Sequence, residues 1–488
     1  MRKIGKVKPL DEFLKDSRDG QLPSSPTTNT RNVPPFDWTG HPFVDAGLVA
    51  LLLLSGKKKP EELSEADIEK AVDFASKLYA RKEWSSGYIH AMMLPNSGIL
   101  MANPSMSKKR TPEAVKKNLL DLLYENEDLN APLCEICGRR HARNKPVYRS
   151  DFPLVGTGGV PNYFPSGKEG ANICSHCLFL AQLMPLVAYR LSRVLVIHTH
   201  PYELMLKFHK EAIDDIKRNE LASTARNFKR AENFLFEKLV EIGTDLETGE
   251  LENASITLYY FVNNNQGQEI ELIYVPNPVI RFVAFAARID RMGWKNIVSM
   301  GWRKRPSEEE FEEFNKRYPN DVYAKLLSGE SILQYFIDTQ NRRVNAKWEL
   351  LLFYCSEVLG LDKDALEFIK GVADKIVETV EKLPDNKLSR RIRELERAER
   401  LYQFEAFFVR VEKDRQELGI PGALMGFDDF ARILTSYGED LNVSWKTVRN
   451  LLLFRIYERL HDRLMKASSE EAETYEETEE EFEEGGEE

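Results

Sequence analysis

Two cysteine pairs, Cys134-Glu-Ile-Cys137 and Cys174-Ser-His-Cys177, carry the sharpest chemical pattern in the chain. Each Cys-x-x-Cys turn can offer two thiolates to one cation. Two such knuckles brought together make a tetrahedral four-sulfur site suited to zinc. Gly138 directly follows the first pair, where a tight turn needs backbone freedom. The 36 residues between the pairs exceed those of a compact finger, so an insert must fold back to join them. Four sulfurs fill the coordination sphere and leave no position for an activated water, so the expected zinc is structural, not catalytic. Redox-active dithiols and metal-free thiols are the alternatives. His141 and His176 are weaker ligand candidates, because a histidine inside a knuckle more often packs or donates beside the metal.

Other groups with catalytic potential are sparse. His198-Thr-His200 puts two imidazoles on one side of a strand, but no further ligand follows at a recognisable spacing. The expectation there is a strand end leading into Pro201. His41 lies near Asp37 and Asp45, yet Phe36, Trp38, Phe43 and Val44 around it suggest a hydrophobic anchor with polar turns. Phosphate-loop, dinucleotide, zinc-protease and nucleophile-elbow motifs are all missing, which lowers the expectation of an enzyme. A zinc-containing nuclease or phosphohydrolase using His198, His200 or His41 is the catalytic alternative. A zinc-stabilised nucleic-acid-binding protein is the other.

Basic and amide clusters point to nucleic acid. Arg281, Arg288, Arg291, Lys295, Arg303, Lys304 and Arg305 share residues 281–305 with one acid, Asp290, and with Trp294 and Trp302. Lysine and arginine neutralise phosphates, and exposed aromatics stack on unpaired bases. Lys57, Lys58 and Lys59 form a second patch; Lys108, Lys109 and Arg110 form a third. Asn96, Asn263, Asn264, Asn265 and Gln266 could reach base edges. Arg455, Arg459 and Arg463, at successive i,i+4 positions, would line one helix face as a phosphate-facing stripe.

The elements that position these groups follow from periodicity. Helices are expected at 48–54, from Ser64, over 112–125, around 178–186, over 202–240 and over 279–291. Strands are expected at 88–93, 98–101, 194–197, 255–262 and 269–275. After about 309 strand signals nearly vanish. The expected fold is a mixed α/β N-terminal and central region with a zinc-binding insert, followed by an all-helical C-terminal domain. Its parts are an α/β region over 1–131, a cysteine-pair zinc subdomain over 132–180 and a mixed α/β nucleic-acid-facing region over 181–308. A helical domain over 309–467 and a disordered acidic tail over 468–488 complete it. Residues 14–35 read as an exposed connector.

Composition is that of a globular protein of 488 residues, 42% hydrophobic and 30% charged. The net charge of -10 misleads, because the twelve glutamates of residues 470–488 exceed the whole surplus of 78 acidic over 68 basic side chains. No apolar run approaches the roughly 20 residues of a membrane span. The charged start lacks a signal-peptide core, and five cysteines do not suggest a disulfide framework, so a cytoplasmic protein is expected.

The two cysteine pairs, read together with Trp38-Thr-Gly-His-Pro-Phe-Val-Asp-Ala-Gly47, resemble the CRISPR-associated CXXC-CXXC family. That family groups large subunits of the type I CRISPR interference complex, Cascade. The resemblance implies a noncatalytic subunit that meets the 5′ end of the CRISPR RNA and helps recognise the protospacer-adjacent motif. It also implies target DNA, the Cascade backbone and RNA-capping subunits, and a separate helicase-nuclease as partners. Only Cys134, Cys137, Cys174 and Cys177 carry over as matched family residues.

Overall fold

The apolar run at Pro42 folds as α1 (Pro42–Ser55), with proline in its first turn and left-handed Gly56 closing its end. Every residue from Pro42 to Leu52 is buried, so α1 is a core helix without a solvent face. The computed structural model describes residues 36–157, 169–219, 227–244, 251–426, 428–431 and 441–484; the side chains of 219, 441–444 and 467–484 are outside the description. The connector expected at 14–35 lies outside the described residues.

Against α1 pack α2 (Glu65–Tyr79) and α4 (Ser175–Leu183), and α3 (Pro112–Leu123) packs on both of these. Ser64 and Asp67 close a reciprocal capping box at the start of α2, and Thr111 caps α3. Residues 88–93, expected as a strand, belong instead to a π-helix over Ser85–Met93, and 98–101 form turns. The reason is packing. The Tyr88 ring lies edge-on to the Trp84 ring at 5.8 Å, and its hydroxyl donates to the Ala188 carbonyl at 2.9 Å, both in the core. These anchors outweigh the weak β preference of an Ile-Tyr stretch.

The chain then enters an antiparallel sheet of order β1-β2-β3-β4. The first two strands are β1 (Tyr189–Arg190) and β2 (Val194–His200). After a cis His200-Pro201 bond come α5 (Tyr202–Asn219) and α6 (Ala231–Gly243). The hairpin of β3 (Ser255–Asn264) and β4 (Gly267–Val275) completes the sheet, with Asn264 facing Gly267 across the turn.

Helices α7 (Asn277–Ile289), α8 (Arg291–Ser299), α9 (Phe311–Arg317) and α10 (Asp321–Ser328) follow. A short hairpin of β5 (Ile337–Asp338) and β6 (Arg343–Val344) then interrupts a region expected to be all helical. Asp338 accepts from the backbone and side chain of Asn341, which tightens that turn. Next come α11 (Trp348–Phe353), α12 (Lys363–Val380), α13 (Asp385–Glu396) and α14 (Leu401–Glu417). The long α15 (Leu441–Glu484) packs on α12, α13 and α14. Its backbone stays helical into the acidic segment, in keeping with the good helix propensity of glutamate. One continuous apolar cluster runs from Tyr189 in β1 to Leu464 in α15, so the sheet and the C-terminal helices share a core.

Candidate metal centre

The first knuckle is a tight loop. The Cys134 N–H donates to the Arg140 carbonyl at 2.8 Å, and Gly138, with φ of +62°, returns its N–H to the Cys134 carbonyl at 2.9 Å. The second knuckle opens α4: Cys174 is the N-cap, and its Sγ accepts from the Cys177 N–H at 3.4 Å. A polar clamp aligns the two. Glu135 donates its N–H to the Asn172 carbonyl at 2.9 Å, and its carboxylate accepts from the Asn172 N–H at 3.1 Å and side-chain amide at 2.9 Å. The paired Val147 and Ala171 backbones bring the insert back to this clamp.

All four Sγ atoms lie within 4.8 Å of one another, and Cys137 and Cys174 are 3.8 Å apart. A tetrahedron with metal–sulfur bonds of about 2.3 Å has edges of about 3.8 Å, so the donor set fits a zinc-sized cation. Cys134, Cys174 and Cys177 are buried, and Cys137 stands at the mouth. Sulfhydryl hydrogen bonds, first from Cys134, hold the Cys137 thiol well below the ordinary thiol range. The Cys177 thiol is pushed up, chiefly by its hydrogen bond to Cys134. Cys134 is likewise lowered, to about 7, whereas Cys174 is raised; a cation among the four would favour the thiolate form of all of them. His176 is not in the set: it is buried against Phe36 at 5.6 Å, and burial lowers its pKa to about 4. His141 Nδ1 is 2.6 Å from the Ala131 carbonyl. Among the described residues no other group of three or more Cys, His, Asp or Glu ligand atoms converges.

The segment 37–47 holds this centre in the fold. Arg139, just beyond the first knuckle, pairs with Asp37 and donates to the Trp38 carbonyl at 2.9 Å. Trp38 stacks on Tyr202 of α5 at 4.2 Å. Gly47 touches the second knuckle's helix so closely that a Cβ there would sit 1.7 Å from the Leu180 carbonyl oxygen. Asp45, fully buried, accepts from the Thr39 N–H at 2.9 Å and hydroxyl at 2.8 Å, from the Gly40 N–H at 3.0 Å, and faces His198 Nε2 at 3.1 Å. His198 thus ties β2 to the start of α1. His41 caps α1, its ring packed edge-on to Phe152 at 5.2 Å, and burial lowers its pKa to about 4. Both histidines serve the scaffold that seats the cysteines.

The expected nucleic-acid residues divide. Lys58, Lys59, Lys108, Lys109, Arg288, Arg291, Arg303 and Lys304 are exposed, and Lys57 is half-buried. Arg110 is turned inward, donating to the Ala80 and Met101 carbonyls. Arg305 pairs with Asp338 at 2.8 Å, and Lys295 meets Glu308 at 3.4 Å. Trp294 and Trp302 are core residues against Phe282 and Phe311, so neither offers a face for base stacking. The arginine stripe is not formed: Arg455 is bound to Asp374 at 2.8 Å and Arg463 to Asp385 at 2.7 Å, leaving Arg459 exposed. Helical spacing aligned these side chains, but acids on α12 and α13 took two of them. Asn263 is buried and donates to the Arg149 carbonyl at 3.1 Å. The Asn264 side chain accepts from the Gln266 and Gly267 N–H groups and shapes the hairpin. Asn96 meets Asn265 at 2.9 Å, a convergence across 169 residues. Sequence reasoning missed Lys207 and Lys210 of α5, which join Lys57 and Lys58 around one groove; their three-residue spacing on a helix was the available signal.

Residues 127–189, spanning both cysteine pairs, match the family described as CRISPR-associated protein (Cas_CXXC_CXXC). No curated protein and no solved structure matches the chain. The match supports a CRISPR-associated role. Among the described residues, no helix is long and apolar enough to cross a membrane.

Proposed function

We propose that this protein is a noncatalytic large subunit of a CRISPR RNA-guided DNA interference complex, with a structural zinc ion held by Cys134, Cys137, Cys174 and Cys177. The observation that carries the reading is the joining of those four thiols, inside the matched region, to segment 37–47 through Arg139 and Gly47. When bound, zinc supplies charge neutralisation and cross-linking; the four thiolates use its whole coordination sphere. The insert then presents the surface around Asn96 and the β3–β4 turn, where Asn264, Asn265 and Gln266 probe base edges in the protospacer-adjacent motif. Exposed Lys108, Lys109, Arg288, Arg291, Arg303 and Lys304 supply phosphate contacts to guide RNA and target DNA. Cascade backbone and RNA-capping subunits and a separate helicase-nuclease are its protein partners, in the cytoplasm.

The deciding experiment is affinity purification of the tagged chain expressed from its own genomic neighbourhood, with sequencing of bound RNA and total metal analysis. A short guide RNA of uniform 5′ end, with one zinc per chain, is expected. Recovery of no guide RNA overturns the interference reading. Metal-dependent cleavage of DNA or RNA that is abolished by His198→Ala or His41→Ala favours the nuclease reading instead.

A further inference from the structure

A groove of about 610 Å³ lies between the end of α1 and the outer side of α5, remote in sequence from the cysteines. Its floor is apolar, formed by Leu53, Leu206 and Ile213. Lys57, Lys58, Lys207 and Lys210 stand around it, against two acids, Glu203 and Asp214. Lys217 extends the basic side, donating to the Leu53 carbonyl at 3.4 Å. A phosphate backbone would use these ammonium groups but would gain nothing from half-buried Leu53 and Leu206. An acidic helix with a narrow apolar seam uses both.

The chain itself contains such a sequence. Residues 470–488 hold twelve glutamates, no lysine or arginine, and two aromatics, Tyr475 and Phe482. Those aromatics are seven residues apart in the sequence. Leu53 and Leu206 are the partly exposed apolar residues of the floor that such aromatics would cover, with Ile213 buried beneath them. The helix that carries the acidic segment is continuous to Glu484 and packs on α12, α13 and α14. Its 18 residues beyond Lys466 extend about 27 Å further without a break.

We infer that the groove between α1 and α5 is the docking site for the acidic segment 470–488 of a second copy of this chain. The contact is head-to-tail, each copy offering a groove at one place and a segment at another, so association is heterologous and grows with concentration. It is independent of the guide-RNA reading, since both members of the contact belong to this polypeptide. Salt weakens it by screening the lysine–glutamate attraction.

The test uses the full chain, a chain lacking residues 470–488, and a full-length Lys57→Glu/Lys210→Glu variant, in sedimentation velocity at low and at high salt. The intact chain is expected to associate at low salt, and each variant alone to stay monomeric. Mixed, the two variants should form a 1:1 pair, because one keeps the groove and the other keeps the segment. A labelled peptide of residues 470–488 should bind the truncated chain, at least tenfold more weakly when Lys57 and Lys210 are reversed in that chain. A Tyr475→Ala/Phe482→Ala peptide, with its charge unchanged, should also lose at least tenfold. An intact chain that is monomeric at every concentration overturns the inference, as does failure of the two variants to pair. Equal binding of the aromatic-free peptide reduces the groove to a general polyanion surface and likewise overturns it. So does a single-stranded oligonucleotide that occupies the groove, lysine-dependently, while the peptide does not.

Discussion

At the scale of single residues, the thiol cluster and the buried polar groups of segment 37–47 make opposite demands on protons. The thiols must lose theirs to hold a cation, so metal binding is coupled to folding of the insert. Cys134→Ser and Cys174→Ser should each abolish stoichiometric zinc and open the insert to limited proteolysis, with the sheet still protected. Unchanged metal content and protease resistance in both variants would contradict that account. His41, by contrast, must stay neutral. Burial depresses its folded pKa from 6.5 to about 4, so the unfolded chain takes up a proton first as pH falls. Its contribution is fully present above pH 6.5 and is lost as pH falls towards 4, amounting to roughly 3 kcal/mol at most. His41→Asn keeps a helix cap without the titration, and its stability should fall less steeply than wild type between pH 6.5 and 4 in denaturant unfolding.

At the scale of elements, the contact between α1 and α4 is the joint on which the second knuckle rests. Gly47→Ala places a methyl group against the Leu180 carbonyl, within a backbone contact that no rotamer change can relieve. The helices must separate, at a cost of about 1–3 kcal/mol or somewhat more. Because Cys174 and Cys177 ride on the first turn of α4, the same substitution should speed zinc release to a chelator. Faster release with lowered stability is the expected pair of results, read by chelator competition and by urea unfolding. Wild-type values for both would show that α1 and α4 are not coupled through this glycine.

At the scale of the whole molecule, the shared cluster from Tyr189 to Leu464 joins the sheet to the C-terminal helices. Phe282 of α7 lies 5.1 Å from Tyr354, and Phe285 of α7 stacks on Phe353 of α11 at 4.0 Å, so aromatic contacts bridge the expected boundary at 308. The sheet and the helical half should therefore unfold in one cooperative calorimetric transition. Two separated transitions assigned to residues 181–308 and 309–467 would show independent cores. Removing zinc should act mainly on the N-terminal portion and leave that transition near its original temperature.

Sequence alone determined what is set by neighbours along the chain. The cysteine spacing, the capped helix after Ser64, the buried helix over 48–54 and the two strands of the β3–β4 hairpin were legible, because turns, caps and periodicity are local; the start of that first helix at Pro42 was not. The four cysteines as one candidate site were legible too, since two knuckles with few other partners imply each other. What the tertiary structure decided lies between distant residues. Only the fold shows that Arg455 and Arg463 are spent on acids of α12 and α13, or that both tryptophans of 281–305 are core. Only the fold turns residues 88–93 from strand to π-helix, through a tyrosine hydroxyl bound 100 residues away. The physical reason is common to these cases. A side chain's charge and shape are fixed by its identity, but whether it meets water or another side chain depends on packing across the whole chain.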